Sequence, residues 1–134
     1  VPPVATYVPA VRSGKHVFTS GQVPMVDGVL LATGKVGAQV SAEQAKELAR
    51  TCALNALAAI DALVGLDTVV RVVKVTGFVA SMPDFTGQPG VINGASELFG
   101  DVFGDAGQHA RSAVGVAVLP LDAPVEVEVV VEVS

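Results

Sequence analysis

The sequence has few of the residues on which familiar catalytic and metal sites depend. Its 134 residues include one cysteine and two histidines, with no spacing typical of metal ligands, so a metal is not expected. The single cysteine, Cys52, excludes an intrachain disulfide and fits a reducing compartment. The chain also contains no GxSxG, P-loop lysine, GxGxxG, HExxH or CxxC motif. These absences exclude the enzyme classes that such motifs identify.

Charge is scarce as well, at 16% of residues against 51% hydrophobic residues, which excludes a disordered chain. The net charge is −5 and the eight basic residues are scattered, so nucleic acid is not an expected partner. No apolar run is long enough to cross a membrane, and the chain does not start with a signal peptide. We therefore expect a soluble cytoplasmic protein with one domain over residues 1–134. Because an initiator Met is missing, we expect a few more residues before Val1.

Valine-rich stretches predict most of the strands. Residues 16–25 predict one strand, which the turn pair Asp27-Gly28 joins to residues 29–31 as a hairpin. Further strands are predicted from Thr68 to Val79, from Ser112 to Leu119 and from Val125 to Val133. A turn over residues 120–124 joins the last two.

Two helices are predicted between these strands. The first begins after Ser41, whose hydroxyl can cap it with Gln44 three residues later, and ends at Gly65. The second has Pro89 in its first turn and ends at Gly104 and Gly107. The face of this second helix that we expect to be buried consists of Val91, Ala95, Leu98 and Val102.

The order β-β-α-β-α-β-β predicts an α+β domain, with two helices packed on one face of a mixed sheet. In the last strand the valines from Val125 to Val133 line one face, while Glu126, Glu128 and Glu132 line the other. A single layer of helices leaves one sheet face uncovered. Since a valine-rich sheet packs well against copies of itself, we expect a symmetric homo-oligomer.

Arg111 and Glu126 are the strongest candidates for chemistry. They lie on two strands joined by a short turn, so we expect them to be near neighbours in an antiparallel pair. A guanidinium can hold a substrate carboxylate with two hydrogen bonds, while a carboxylate can handle a proton or a water. The alternative is a cross-strand ion pair with a structural role only, which is the commoner arrangement.

Four stretches together resemble the RidA/YjgF family of reactive-intermediate (enamine/imine) deaminases. They are, in chain order, TYVPAVRSGKHVFTSGQVP, RVVKVTGFVASMPDF, VINGASELF and ARSAVGVAVLPLDAPVEVEVVVEV. The last stretch is the most specific. It contains, in this order, the arginine of ARS, a strand, the residues LP, a short turn and VEVE. The resemblance covers nearly the whole chain. It implies a fold like that of the small trimeric chorismate mutase, and a homotrimer with three clefts between subunits.

Position by position, the resemblance implies which residues form such a cleft. Arg111 matches the arginine that clamps the carboxylate of an enamine or imine. Glu126 matches the glutamate that positions or activates the hydrolytic water. The residues that match the lining of the cleft are Tyr7, Ser20, Gly21 and Asn93.

The chain departs from the family pattern in two places. Ala113 stands where the family often has cysteine, so the implied substrate contact there is made by the backbone and thiol chemistry is not expected. The stretches GKVG and CALNALAAIDAL resemble a divergent branch of the family.

The implied reaction is hydrolysis of an amino-acid-derived imine, of the 2-iminobutanoate/2-iminopropanoate type, to a keto acid and ammonia. A positioned water and a carboxylate anchor are nearly sufficient for it, so no metal or cofactor is required. The implied partners are further copies of this chain and a small substrate that bears a carboxylate. Two alternatives stay open: a trimer that binds or senses a small carboxylate without catalysis, and an endoribonuclease. The acidic net charge argues against the second.

Three other residues are interpreted as structural. Cys52 falls on the buried face of the first predicted helix and is expected in the core. Asn55, on the same helix, is expected to bond backbone groups. His109 lies two residues before Arg111, but loop histidines are common and no direct role is expected for it.

Overall fold

The computed structural model describes residues 6–134, in which seven strands and two α-helices alternate. In chain order they are β1 (Ala10–Ser13), β2 (His16–Thr19), β3 (Met25–Val26), β4 (Val29–Leu30), α1 (Ala42–Val64), β5 (Val69–Ala80), α2 (Gln88–Phe103), β6 (Ala110–Val116) and β7 (Val125–Val133). Short 3₁₀ turns follow α1, follow α2 and precede β7. No helix in this part of the chain is long and apolar enough to span a bilayer.

Five of the strands form one sheet in the order β1-β2-β7-β5-β6, so β7 is central and β6 lies at an edge. Only β5 and β6 are parallel, because α2 crosses over between them, and the other pairs are antiparallel. Both helices pack on the face of the sheet that carries the alternating valines of β7. The predicted α+β class, with two helices on one face of a mixed sheet, is confirmed.

The first helix begins and ends where the sequence predicts. The hydroxyl of Ser41 accepts a hydrogen bond from the backbone N–H of Gln44 at 3.1 Å, and the helix ends at Gly65, whose φ is 83°. This cap satisfies one of the N–H groups that a helix leaves free at its start, and glycine tolerates the left-handed φ at its end. Most of the predicted buried face is confirmed, since Cys52 and Ile60 are both 0% exposed, but the prediction is wrong for Leu63, which is 45% exposed in the last turn.

The second helix also lies where predicted, with Pro89 in its first turn and Gly104 at its end. Three residues of its predicted buried face, Val91, Ala95 and Leu98, are in the core. Val102 is 47% exposed, so this part of the prediction is wrong, and Phe99 fills the core instead. The helix packs against α1, β5 and β6.

The N-terminal strands differ from the prediction. The strand expected over residues 16–25 ends at Thr19, and its hairpin partner is β1, which the sequence analysis missed. The turn at Asp27-Gly28 is present, but it joins two strands of two residues each in a separate small sheet. Pro24 lies between the two segments and has no N–H to continue a ladder, which is a physical reason for the interruption.

The strands that carry Arg111 and Glu126 are not neighbours. We expected β6 and β7 to form an antiparallel pair, but β5 lies between them. The expectation is wrong. β6 pairs with one side of β5 in parallel, and β7 pairs with the other side antiparallel. The chain between β6 and β7 therefore crosses from one side of β5 to the other. The cross-strand ion pair considered for Arg111 and Glu126 is therefore excluded within one chain.

A close approach of the two helices generates the first testable prediction. A Cβ atom added at Gly94 on α2 would collide with the backbone carbonyl of Lys46 on α1. Gly94→Ala must therefore push the helices apart, and we expect a loss of about 1–3 kcal/mol in the free energy of unfolding. Thermal and denaturant unfolding measure this loss.

Gly100→Ala provides the matched control, because Gly100 lies on the same helix and a Cβ there would meet no atom within 4 Å. Since alanine is the better helix former, this variant should be neutral or gain about 0.5–1 kcal/mol. Equal effects of the two substitutions would contradict the packing described here.

Candidate functional site

Arg111 lies on the edge strand β6 and faces the helices. Its register partner on β5 is Val75, which is buried beneath α2, and residues paired across a parallel ladder point to the same face. The guanidinium extends along α2, where Nη1 donates to Asn93 Oδ1 at 2.8 Å and to Ser96 Oγ at 3.2 Å. Nη2 makes a longer contact, 3.4 Å, with the carbonyl oxygen of Pro89. Three acceptors on one helix thus fix the half-buried guanidinium.

All of these acceptors are neutral. The ion pairs of the described chain involve Lys35, Lys46 and Arg50, and none includes Arg111. A guanidinium has five N–H donors. Nη1 makes two of these bonds and Nη2 makes one, so within residues 6–134 the hydrogen on Nε and one hydrogen on the neighbouring Nη2 remain as donors. This edge has the geometry that binds a carboxylate with two hydrogen bonds.

Two further residues continue the contacts of Arg111 and were not found by sequence reasoning. Ser96 Oγ lies 2.9 Å from Nε2 of His109, and Nδ1 of His109 lies 2.6 Å from the carbonyl oxygen of Gly107. The imidazole ring also packs edge-on against the buried ring of Phe99, with centroids 6.0 Å apart. His109 is therefore a fixed part of this site and not the exposed loop residue that we expected. The helical spacing of Asn93 and Ser96 was the available signal, since residues three apart share a helix face.

Glu126 lies on the opposite face of the sheet. It follows Val125 and precedes Val127, which are both buried against the helices, so its side chain points away from them. Its register partner on β5 is Phe78. A Cβ added at Gly21 would collide with the Glu126 carboxylate, so the backbone of Gly21 lies directly against that carboxylate. The lack of a side chain at residue 21 is what leaves room for Glu126.

The environment of Glu126 favours a protonated carboxyl. Burial raises the pKa of Glu126 above its ordinary value, and the negative charge of Glu128 on the same face of β7 raises it further. A carboxyl group with a raised pKa accepts a proton more readily than a free carboxyl group does. The same carboxylate contributes to raising the pKa of Cys52, for which burial is the larger cause.

Ser20 directly precedes Gly21, which lies against Glu126, and it binds the segment that follows Tyr7. The Ser20 hydroxyl donates to the carbonyl oxygen of Val8 at 2.6 Å, and the Ser20 N–H donates to that of Pro9 at 2.8 Å. These two bonds hold the segment that follows Tyr7 against Ser20. Tyr7 is 44% exposed. The hydroxyl of Ser20 thus has a structural partner, as expected for a serine at a strand end.

The structure brings the predicted site residues together in two groups. Arg111 and Asn93 are in direct contact on the helix side, where Ala113 also packs against the core. Glu126 and Gly21 are in contact on the open side, with Ser20 next in the chain. Within one chain the two groups lie on opposite faces of the sheet and are separated by β5.

Two structural interpretations are confirmed. Cys52 is fully buried in the core. The Asn55 side-chain amide donates to the carbonyl oxygens of Val23 and Met25, at 3.1 and 3.0 Å, and so attaches the segment before the small hairpin to α1. Over residues 6–134 no group of three or more His, Cys, Asp and Glu side chains lies close enough to hold a metal ion.

The chain is similar to known proteins over its whole length. The family described as Endoribonuclease L-PSP matches residues 1–133. Protein TCP17 of Trypanosoma cruzi is 46% identical over 98% of this chain and 84% of the relative. The 2-iminobutanoate/2-iminopropanoate deaminase of Escherichia coli strain K12 is 36% identical over 95% of this chain and 87% of the relative.

A solved structure agrees with the fold. The crystal structure of Escherichia coli TdcF with bound serine superposes with a TM-score of 0.68 at 28% sequence identity, over 99% of this chain and 92% of that one. The bound serine is an amino acid, so that protein accommodates a small molecule with a carboxylate.

The raised pKa of Glu126 predicts how stability depends on pH. The folded protein holds the Glu126 proton more tightly than the unfolded chain does. The stabilisation that results from this difference is fully present below pH 4.5 and is lost as pH rises through the folded-state pKa. Glu126→Gln keeps a neutral side chain at every pH. Its melting temperature should therefore exceed that of the wild type at pH 7, and the difference should shrink at pH 4.

Glu47→Gln, at an exposed position of α1, controls for the loss of one negative charge. Thermal unfolding of the three proteins across this pH range measures the effect. If the melting temperature of Glu126→Gln exceeds that of the wild type by the same amount at pH 4 and at pH 7, desolvation of the carboxylate is not the cause of the difference.

Proposed function

The chain belongs to the Endoribonuclease L-PSP family, which includes the RidA/YjgF proteins, and we propose that it hydrolyses imines derived from amino acids. The products are the corresponding 2-keto acid and ammonia, and an enamine is consumed after it tautomerises to the imine. The proposal is supported by the Escherichia coli deaminase, which is 36% identical. It depends most on one observation, the orientation of Arg111 by neutral acceptors.

Arg111 is suited to anchor the substrate carboxylate. A structural arginine in a half-buried site is usually paired with a carboxylate, because an unpaired charge is costly to bury. Here Asn93 and Ser96 hold the guanidinium without neutralising it. The site therefore keeps a positive charge and a free pair of donors. An anionic ligand supplies the negative charge and the acceptors that this site lacks.

Glu126 is suited to transfer protons in the hydrolysis. Water adds to the carbon of the protonated imine as one water proton passes to the Glu126 carboxylate, and the C=N electron pair moves to nitrogen, which becomes a neutral amine. Glu126 then protonates the amine of the carbinolamine, the C–N bond breaks with its electrons leaving on nitrogen, and the hydroxyl proton is released as the carbonyl forms. Because its pKa is raised, Glu126 can act as base and then as acid without a metal or another cofactor.

The separation of Arg111 and Glu126 requires two subunits. In a 2-imino acid the reacting carbon is directly bonded to the carboxylate carbon, at about 1.5 Å. The anchor and the proton-transfer group must therefore lie within a few ångströms of each other, which one chain does not allow. We propose that the helix-side group of one subunit meets the open-side group of the next, in the three clefts of a homotrimer.

The uncovered sheet face supports association. It exposes Phe18 and Val114 by 44% and 43%, and the half-buried Phe78 and Val130 lie between them. These apolar side chains lie among the glutamates of β7 on the same face, and exposed large hydrophobic side chains are typical of a subunit interface. Copies of the chain that cover this face would also bring Glu126 to the boundary between subunits.

Substitution of Arg111 tests the anchor. Arg111→Ala should lower kcat/KM for imine hydrolysis at least about a hundredfold, because the charged bidentate contact is lost. Arg111→Lys should recover little, since an ammonium does not reproduce the planar fork. The assay couples an amino-acid dehydratase or oxidase to this protein and follows release of the keto acid.

Arg50→Ala is the matched control, because it removes a guanidinium that makes only a surface ion pair with Asp101, at 3.6 Å. It should retain full activity. Wild-type protein that binds a small carboxylate but does not accelerate keto-acid release would favour the non-catalytic alternative. RNA cleavage by the pure wild type that disappears in Arg111→Ala would favour the endoribonuclease.

Mixed trimers test the two-subunit cleft. Arg111→Ala and Glu126→Gln, each inactive alone, are co-expressed with different affinity tags and purified through both tags. If each cleft takes Arg111 from one subunit and Glu126 from the next, every mixed trimer has one complete cleft and about one third of the wild-type activity should return. No recovery, or a stable monomer in light scattering, would contradict this arrangement.

A further inference from the structure

We infer that Ser96 and His109 are positioning residues for Arg111: they hold its guanidinium in the one orientation that presents the Nε–Nη2 edge to a carboxylate. The inference rests on the proposed role of Arg111 as the anchor. It adds two residues that neither the sequence pattern nor the similarity to known proteins assigns. The observation behind it is a chain of hydrogen bonds with one consistent direction.

The direction follows from the carbonyl oxygen of Gly107, which can only accept. Nδ1 of His109 lies 2.6 Å from it and therefore carries the proton. In the neutral imidazole Nε2 is then an acceptor, and it takes the hydroxyl hydrogen of Ser96 at 2.9 Å. The oxygen of Ser96 is left with its lone pairs toward Arg111, whose Nη1 donates to it at 3.2 Å.

The imidazole is a rigid end point for this chain. Its ring lies edge-on to Phe99, which is 0% exposed, and the angle between the two ring planes is 89°. Gly107, which accepts from Nδ1, is buried where an added Cβ would collide with the backbone of Phe99. Because both contacts are made with the core, His109 fixes the Ser96 hydroxyl, and through it one Nη1 hydrogen of Arg111.

Two fixed acceptors determine the plane of the guanidinium, whereas one does not. Without Ser96, Nη1 would keep only Asn93, and the 3.4 Å contact of Nη2 with Pro89 would restrain the group weakly, so its free edge would point in several directions. With Ser96 as the second acceptor on Nη1, rotation would break a hydrogen bond. A carboxylate then meets donors that are already oriented, which lowers the entropic cost of binding.

The test compares Ser96→Ala, which removes the hydroxyl, with Ser96→Thr, which retains it, and with His109→Phe, which keeps an aromatic ring but cannot accept. The readouts are the Kd of pyruvate by calorimetry, KM and kcat in the coupled assay, and thermal unfolding. We expect Ser96→Ala and His109→Phe to raise Kd and KM about tenfold with a smaller change in kcat, because orientation for binding is lost. Ser96→Thr should restore most of the affinity.

A double variant separates a positioning role from a general structural one. In the Arg111→Ala background, Ser96→Ala should have no further effect on pyruvate binding, since it acts only through Arg111. An unchanged KM in Ser96→Ala, an equal loss in Ser96→Thr, or an effect that persists without Arg111 would each overturn the inference.

A readout independent of the ligand distinguishes this inference from the proposed function. In ¹⁵N NMR spectra, Nη1 and Nη2 of Arg111 should give separate signals in the wild type, because its rotation is restrained, and a single averaged signal in Ser96→Ala. If the wild type neither binds pyruvate nor hydrolyses imines, the proposed function fails, and separate signals that merge in Ser96→Ala still support the positioning. Averaged signals already in the wild type would overturn it, whatever the activity.

Discussion

The alternation of valine and glutamate along β7 is the constraint on which the rest of the structure depends. This strand is the centre of the sheet, and its valines bury their side chains in the core, where β7 packs against α1. Each such burial contributes about 1.5–3 kcal/mol, so the five together strongly favour one register. A shift by one residue would place Glu126, Glu128 and Glu132 in the core. Packing therefore decides which face carries the carboxylates.

The electrostatic character of the two faces follows from this division. The open face receives the acids of β7, and there burial raises the pKa of Glu126, with the charge of Glu128 raising it further. The helix side receives Arg111, which enters from the edge strand and meets only neutral oxygen atoms on α2. One sheet thus separates the Glu126 carboxyl from the Arg111 guanidinium, and neither neutralises the other. Under the proposed function both groups remain available for a substrate.

This separation also makes the proposed chemistry depend on assembly. A domain with Arg111 and Glu126 on one face would form an ion pair and would lose both the charge of the anchor and the raised pKa of the acid. Placing them on opposite faces avoids that pairing inside the monomer. Under the proposed function they meet only where two subunits enclose a ligand, whose carboxylate takes the position of a counter-ion for Arg111.

The sequence by itself determined the α+β class, both helices and the two faces of β7, because periodicity and caps are local properties. The cap at Ser41, the turn at Gly65 and the Val/Glu alternation need no distant contact to be recognised. It also indicated Arg111, Asn93, Glu126 and Gly21, through their resemblance to a family.

Only the tertiary structure decided how these residues combine. Strand order is set by the crossover of α2, which inserts β5 between β6 and β7, and no local pattern encodes that pairing. The contacts of Ser96 with His109 and with Arg111 depend in the same way on the packing of α2 against the edge strand, since residues 13 and 15 positions apart in the chain become hydrogen-bonded only there.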